Sequence, residues 1–386
     1  MTESELQELK NKISLILKDI SNLSESEYQA IEQEKMIRTS NETELKPYYL
    51  IFLLFVSFLG YGYSGKEEKV SFTIPIKYKG SIFLLQHRKL GMALLSFSGV
   101  SKRDSLNVVK VINKAINKAK PFFDYYANEA SNANDLNVIN NSIPFFDRLC
   151  FQLELYKQKV KEIDVFIMSH QSDTGDIDVL ADFVSRWNQE NTLQREKNWL
   201  AISVIDAFFS FTEHVFIHSA ILQGKLQTKQ EIAQLTVSEW KDKFKRCIDI
   251  SVPKNRDFYD KLSLLKDQIR NHLTHGAFGK NNEAFQIHSP VGAIPMLISP
   301  TTSMFSVGEN LKFTDEEAIK IIEEFIEYYW GSKNFIENIY IQSGLPAVLT
   351  FALDSTYKRA MVSLDEMENF THYLSEEFCN SMNMDW

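Results

Sequence analysis

From Asn198 to Leu222 the apolar residues Trp199, Ile202, Ile205, Phe208, Phe209, Phe216 and Ile217 return at helical spacing and make one broad apolar face. A helix with a face that wide must be packed against other helices. The surrounding sequence supplies them, with helical patterns at about 104–130, 141–168, 176–190, 228–248, 255–275 and 314–340. The 28 Phe and 15 Tyr stand against 14 Gly and 9 Pro, which gives material for large cores and little for long linkers. The expected fold class is predominantly α, α+β overall.

The β content is expected near the N-terminus. Residues 3–36 read as one or two surface helices through Leu6, Leu9, Ile13, Leu17 and Ile20. The apolar run Tyr48 to Leu59 is too short to cross a membrane and reads as a buried core helix. Lys69 to Tyr78, Ser81 to Gln86 and Leu90 to Phe97 are rich in β-formers, with a turn at Lys79-Gly80. Four regions follow from this reading: 1–103 as a small α+β unit, 104–190 as a helical connector, 191–345 as a helical bundle, and 346–386 as a terminal strand and helix. Within the bundle, Pro290, Gly292, Pro295 and Pro300 mark a hairpin-like insertion at about 284–306.

The net charge of −9 provides no whole-protein attraction for nucleic acid, so any such binding must use a local basic cluster. The best cluster is Lys114, Lys118 and Lys120, with Lys102, Arg103 and Lys110 nearby. Cys150, Cys247 and Cys379 are far apart and suit neither a disulfide framework nor a thiolate metal site. The acidic start Met1-Thr2-Glu3-Ser4-Glu5 lacks the layout of a secretory signal. A cytoplasmic protein without membrane attachment is therefore expected.

The chemistry concentrates at one helix end. Leu262, Leu265 and Ile269 face inward on a helix whose last turn carries Arg270, Asn271, His272, Thr274 and His275 before Gly276 stops it. Asn271 and His275 share a face, and Arg270 can reach the same spot. RNA cleavage without metal needs a base for the 2′-hydroxyl, an acid for the leaving 5′-oxygen, and positive charge for the phosphorane. His275 can be acid or base, Arg270 can hold the charge, and Asn271 can fix the geometry. One strip supplies one histidine, whereas a symmetric dimer would supply both acid and base.

The pattern Arg270-Asn271-x-x-x-His275-Gly276 resembles the signature of the HEPN (higher eukaryotes and prokaryotes nucleotide-binding) domain. The resemblance extends over a helical frame of about 195–340, in which the helix with Asp206, Phe211, Glu213 and His214 takes the first HEPN position. It implies an all-helical bundle, a homodimer with its site at the seam, and metal-independent endoribonuclease activity on an RNA substrate. It also implies a role as a toxin or antiviral effector, controlled by an antitoxin or a phage-derived trigger. Glu213, His214 and Thr274 would support the catalytic residues, and no metal or other cofactor is expected. The alternative is a non-catalytic dimerisation module that binds RNA or protein with the same bundle.

Two weaker signals have plainer explanations. His214 and His218 have a spacing that can hold one edge of a metal, but no third ligand is evident, so a partly buried polar face is expected. Asp176 and Asp178 resemble a carboxylate pair for Mg²⁺, yet acidic residues also suit a helix N-terminus. There is no Gly-Lys-Ser phosphate loop and no Gly-x-Ser-x-Gly.

Overall fold

The computed structural model describes residues 1–31, 35–39, 44–133, 135–170, 179–267, 285–290, 292–298, 305–307 and 313–384. The fold is predominantly α with a small antiparallel sheet. It divides into two compact units, Met1–Asp135 with His372–Trp386, and Leu136–Thr371. That boundary falls inside the stretch 104–190 expected to be a separate connector, whose helices are shared between the units. Residues 346–386 are shared in the same way.

In the first unit, α1 (Glu3–Ile16) opens on a capping box in which Thr2 and Glu5 satisfy each other's backbone N–H groups. Its Leu9 and Ile13 are buried. Beyond α1, the described part of 3–36 is helical only over five residues, short of the longer second surface helix its pattern allowed. It holds strand β1 (Ile20–Asn22) and the short helix α2 (Glu25–Gln29), and strand β2 (Met36–Arg38) begins at its end. The two strands add to the edges of a sheet formed by β3 (Val70–Tyr78), β4 (Ser81–Arg88) and β5 (Gly91–Phe97), in the order β1-β3-β4-β5-β2. Three-residue edge pairings have too little alternation to show in sequence.

The expected turn at Lys79-Gly80 joins Tyr78 to its partner Ser81, with both central residues at positive φ, 48° and 89°. That suits the right-handed twist of a tight hairpin. Helix α3 (Tyr48–Phe52) runs on as a π-helical turn to Phe58 and buries Ile51, Leu54, Phe55 and Phe58. With α1 and α4 (Lys102–Lys118) it covers the sheet face that presents Ile74, Phe83, Leu85 and Leu94. The helix expected over 104–130 breaks at Ala119, and α5 (Lys120–Asn132) restarts with Pro121 in its first turn. A proline has no N–H to continue the preceding ladder.

The second unit is built on two long helices, α6 (Ser142–His170) and α7 (Val179–Leu222). Asn141 meets His214 and Lys159 meets Glu196, so the two helices run antiparallel. At 44 residues, α7 is about 66 Å long. It merges the helices expected at 176–190 and 198–222, because Asn191 to Lys197 contains no proline or glycine to end a helix. Conversely, the helix expected over 228–248 is two, α8 (Lys229–Val237) and α9 (Trp240–Cys247), separated by extended backbone at Ser238 and Glu239.

Helix α10 (Pro253–Leu265) follows, and its turn continues to Asp267. The expected hairpin is present as β7 (Phe285–Ser289) and β8 (Gly292–Ile298), with a third strand β9 (Phe305–Val307). Helix α11 (Asp315–Ile326) ends in a π-helical turn at Gly331, and the pattern expected to reach 340 resumes as α12 (Glu337–Gln342). The strand expected over 347–353 is limited to β10 (Ala347–Val348), paired with β6 (Asn137–Val138). Its partner offers only two residues, and Leu349–Leu353 turns helical as α13. Helices α14 (Thr356–Ala360) and α15 (Leu364–Asn383) close the chain.

Phe208, Phe209 and Phe216 of α7 pack with Trp240 and Phe244 of α9, Phe325 of α11 and Tyr329 of the π-helical turn after it into one aromatic core, and Phe211 meets Phe146 of α6 and Trp330 of that turn. Phe183–Leu222 is long and apolar enough to cross a membrane by length and composition alone, but more than half of its most apolar 18-residue stretch, 56%, is buried within the fold. The aromatic core accounts for its hydropathy.

Candidate functional site

Glu213 projects from α7 toward α9 and the end of α10. Its Oε2 accepts a hydrogen bond from Lys243 Nζ at 2.9 Å, and its Oε1 lies 3.8 Å from Lys266 Nζ. The Lys243 side chain is 4% exposed and the Glu213 side chain 27%, so this pair is largely withdrawn from water. Such a carboxylate needs its cation, since removing one partner of a buried pair leaves an uncompensated charge. Lys266 Nζ also lies 6.0 Å from the centre of the Phe209 ring.

Beside this charge cluster, Lys241 Nζ binds Asp267 Oδ2 at 2.6 Å. Two consecutive residues at the end of α10, Lys266 and Asp267, are thus tied to α7 and α9. Thr212 Oγ1 reinforces the frame by accepting from Trp240 Nε1 at 2.9 Å while donating to the Phe208 carbonyl. The chain therefore enters its Arg270-Asn271-x-x-x-His275-Gly276 motif from a fixed point. Arg270, Asn271, Thr274 and His275 themselves lie outside the described residues, as do Asp176 and Asp178.

His214, one residue after Glu213, faces a different way. Its Nε2 accepts the backbone N–H of Asn141 at 2.9 Å, at the start of α6, and its ring sits 5.2 Å from Phe145 and 4.5 Å from His218. Burial, and then the neighbouring His218, push its pKa down to about 4. His214 is therefore a neutral acceptor that secures α6, and its one basic nitrogen is already engaged. The His218 Nδ1 faces the His214 carbonyl at 3.2 Å, and the ring is buried. No group of three or more metal-binding side chains occurs among the described residues.

Lys114, Lys118 and Lys120 are exposed on α4 and α5 of the first unit. Lys118 shares a shallow hollow with Glu5, Glu8 and Lys12 of α1, so part of its field is neutralised there. Sequence reasoning missed Lys243. The available signal was a lysine in the buried stripe Trp240, Lys243, Phe244 and Cys247, where an aliphatic residue would be expected on α9. No family model, curated protein or solved structure matches this chain. The motif therefore bears the family resemblance alone.

Proposed function

We propose that the chain is a metal-independent endoribonuclease of HEPN type, cutting RNA by 2′-hydroxyl attack at a site shared by two copies. The reading rests on the Arg270-Asn271-x-x-x-His275-Gly276 motif. The anchoring of the chain at Lys266 and Asp267 supports it, because a catalytic turn needs a rigid approach.

His275 acts as general acid or base, Arg270 stabilises the phosphorane, and Asn271 orients the phosphate. Glu213 organises the cationic approach through Lys243 and Lys266. The corresponding biological role is that of a cytoplasmic toxin or antiviral effector under the control of an antitoxin or a phage-derived trigger. Expression of the active chain should be poorly tolerated by cells and rescued by Arg270→Ala or His275→Ala. Equal tolerance of wild type and both variants would favour the non-catalytic dimerisation module instead.

A further inference from the structure

The first unit carries an open aromatic shelf beside a basic helix. Tyr48, Tyr49 and Tyr63 are 45%, 51% and 50% exposed, although tyrosines in a core would be covered. The shelf is ordered from beneath: Tyr48 stacks on His87 at 3.8 Å with planes 5° apart, and Tyr49 meets Tyr48 edge-on at 5.5 Å. Phe52 contacts both Tyr63 and Phe72 at 5.2 Å, and Phe72 lies 5.6 Å from His87. The exposed rings are held in place.

Helix α4 is fastened to the segment Glu44–Lys46 leading into this shelf. Asn113 Nδ2 donates to the Glu44 carbonyl at 2.7 Å, and its Oδ1 accepts the Lys46 N–H at 3.2 Å. The outer face of α4 carries Arg103, Lys110, Lys114 and Lys118, all exposed, opposite its buried face of Val108, Val109, Ile112, Ala115 and Ile116. Lys110 and Lys114 make no ion pair among the described residues. Residues 66–120 contain twelve Lys or Arg against three Asp or Glu, in a chain whose net charge is −9. The positive charge is gathered on this unit's sheet and α4.

We infer that the Tyr48–Tyr49–Tyr63 shelf and the Arg103–Lys114 stripe form a binding site for single-stranded RNA, with unpaired bases stacked on the tyrosines and phosphates along the helix. Stacking on a side-chain ring requires an unpaired base, which separates this site from one that reads duplexes. The choice of RNA over DNA rests on the ribonuclease reading, while the stacking and charge arguments are independent of it.

The test uses the full chain and a fluorescent single-stranded 2′-O-methyl oligonucleotide about 12 nucleotides long, which spans a typical site and cannot undergo 2′-hydroxyl attack. Single strand should bind more tightly than duplex of the same sequence. Lys110→Glu with Lys114→Glu should weaken binding and lower the slope of log affinity against log salt by about 1.4. Tyr48→Ala should weaken binding by roughly tenfold with the slope unchanged. Tyr49→Ala, off the His87 stack, repeats that test if Tyr48→Ala perturbs the circular dichroism. Absence of binding, equal affinity for duplex, or wild-type affinity in the tyrosine or lysine variants would overturn the inference. Wild-type chain that binds the 2′-O-methyl strand but fails to cut the unmodified RNA removes the ribonuclease reading alone.

Discussion

His214 holds the first turn of α6 only while its Nε2 is unprotonated, since that atom accepts the Asn141 N–H. Burial lowers its pKa from 6.5 to about 4, so between those values the unfolded chain binds a proton that the folded chain refuses. Stability from this group is therefore complete above about 6.5 and is lost as pH falls toward about 4. The effect is of order 1–3 kcal/mol after allowing for the ring's partial exposure. His214→Gln keeps an acceptor and removes the titration, so urea unfolding at the two ends of that window should show a smaller acid loss than in wild type. Identical acid losses would show that His214 is not the group responsible. Of the residues expected to support catalysis, His214 and Glu213 are adjacent in sequence but face different helices. A helical rotation of about 100° per residue separates them, and which neighbour each would meet was not readable from the motif.

At the scale of elements, α7 is the spine against which α6, α9 and α11 are set. Its continuity through Asn191 to Lys197 makes a direct prediction. Asn191 is exposed, and Asn191→Pro should cost about 3 kcal/mol, read as a lower thermal midpoint, because it breaks an interior helical hydrogen bond. Near-wild-type stability would mean that the chain bends there, as the two separate sequence patterns suggested. Those patterns located the helical segments and strands β3 to β5, because long periodic stretches report burial directly. They failed where a short neighbour decides the outcome. Ala347 to Leu353 is rich in β-formers, but its strand pairing covers only Asn137 and Val138, and the Leu349 N–H bond to the Leu136 carbonyl is followed by a helix. The carboxylate–lysine cluster was half readable, since Glu213 follows from the motif's expected neighbourhood while Lys243 is marked only by its place in an apolar stripe.

For the whole molecule, charge and chemistry fall in different places. The Arg270–Gly276 motif proposed to cut RNA belongs to the sequence of the second unit, whereas the basic surplus of residues 66–120 lies in the first. An enzyme so divided would gather single-stranded RNA through one unit and cut it with the other. One motif carries one histidine, so acid and base together call for two copies. The most direct measurement is incubation of the purified chain with single-stranded RNA in excess EDTA, followed by analysis of the product ends. The account predicts cleavage to 2′,3′-cyclic phosphate ends, abolished by His275→Ala and by Arg270→Ala. Cleavage only after adding a divalent metal, or undiminished cleavage by His275→Ala, would contradict it.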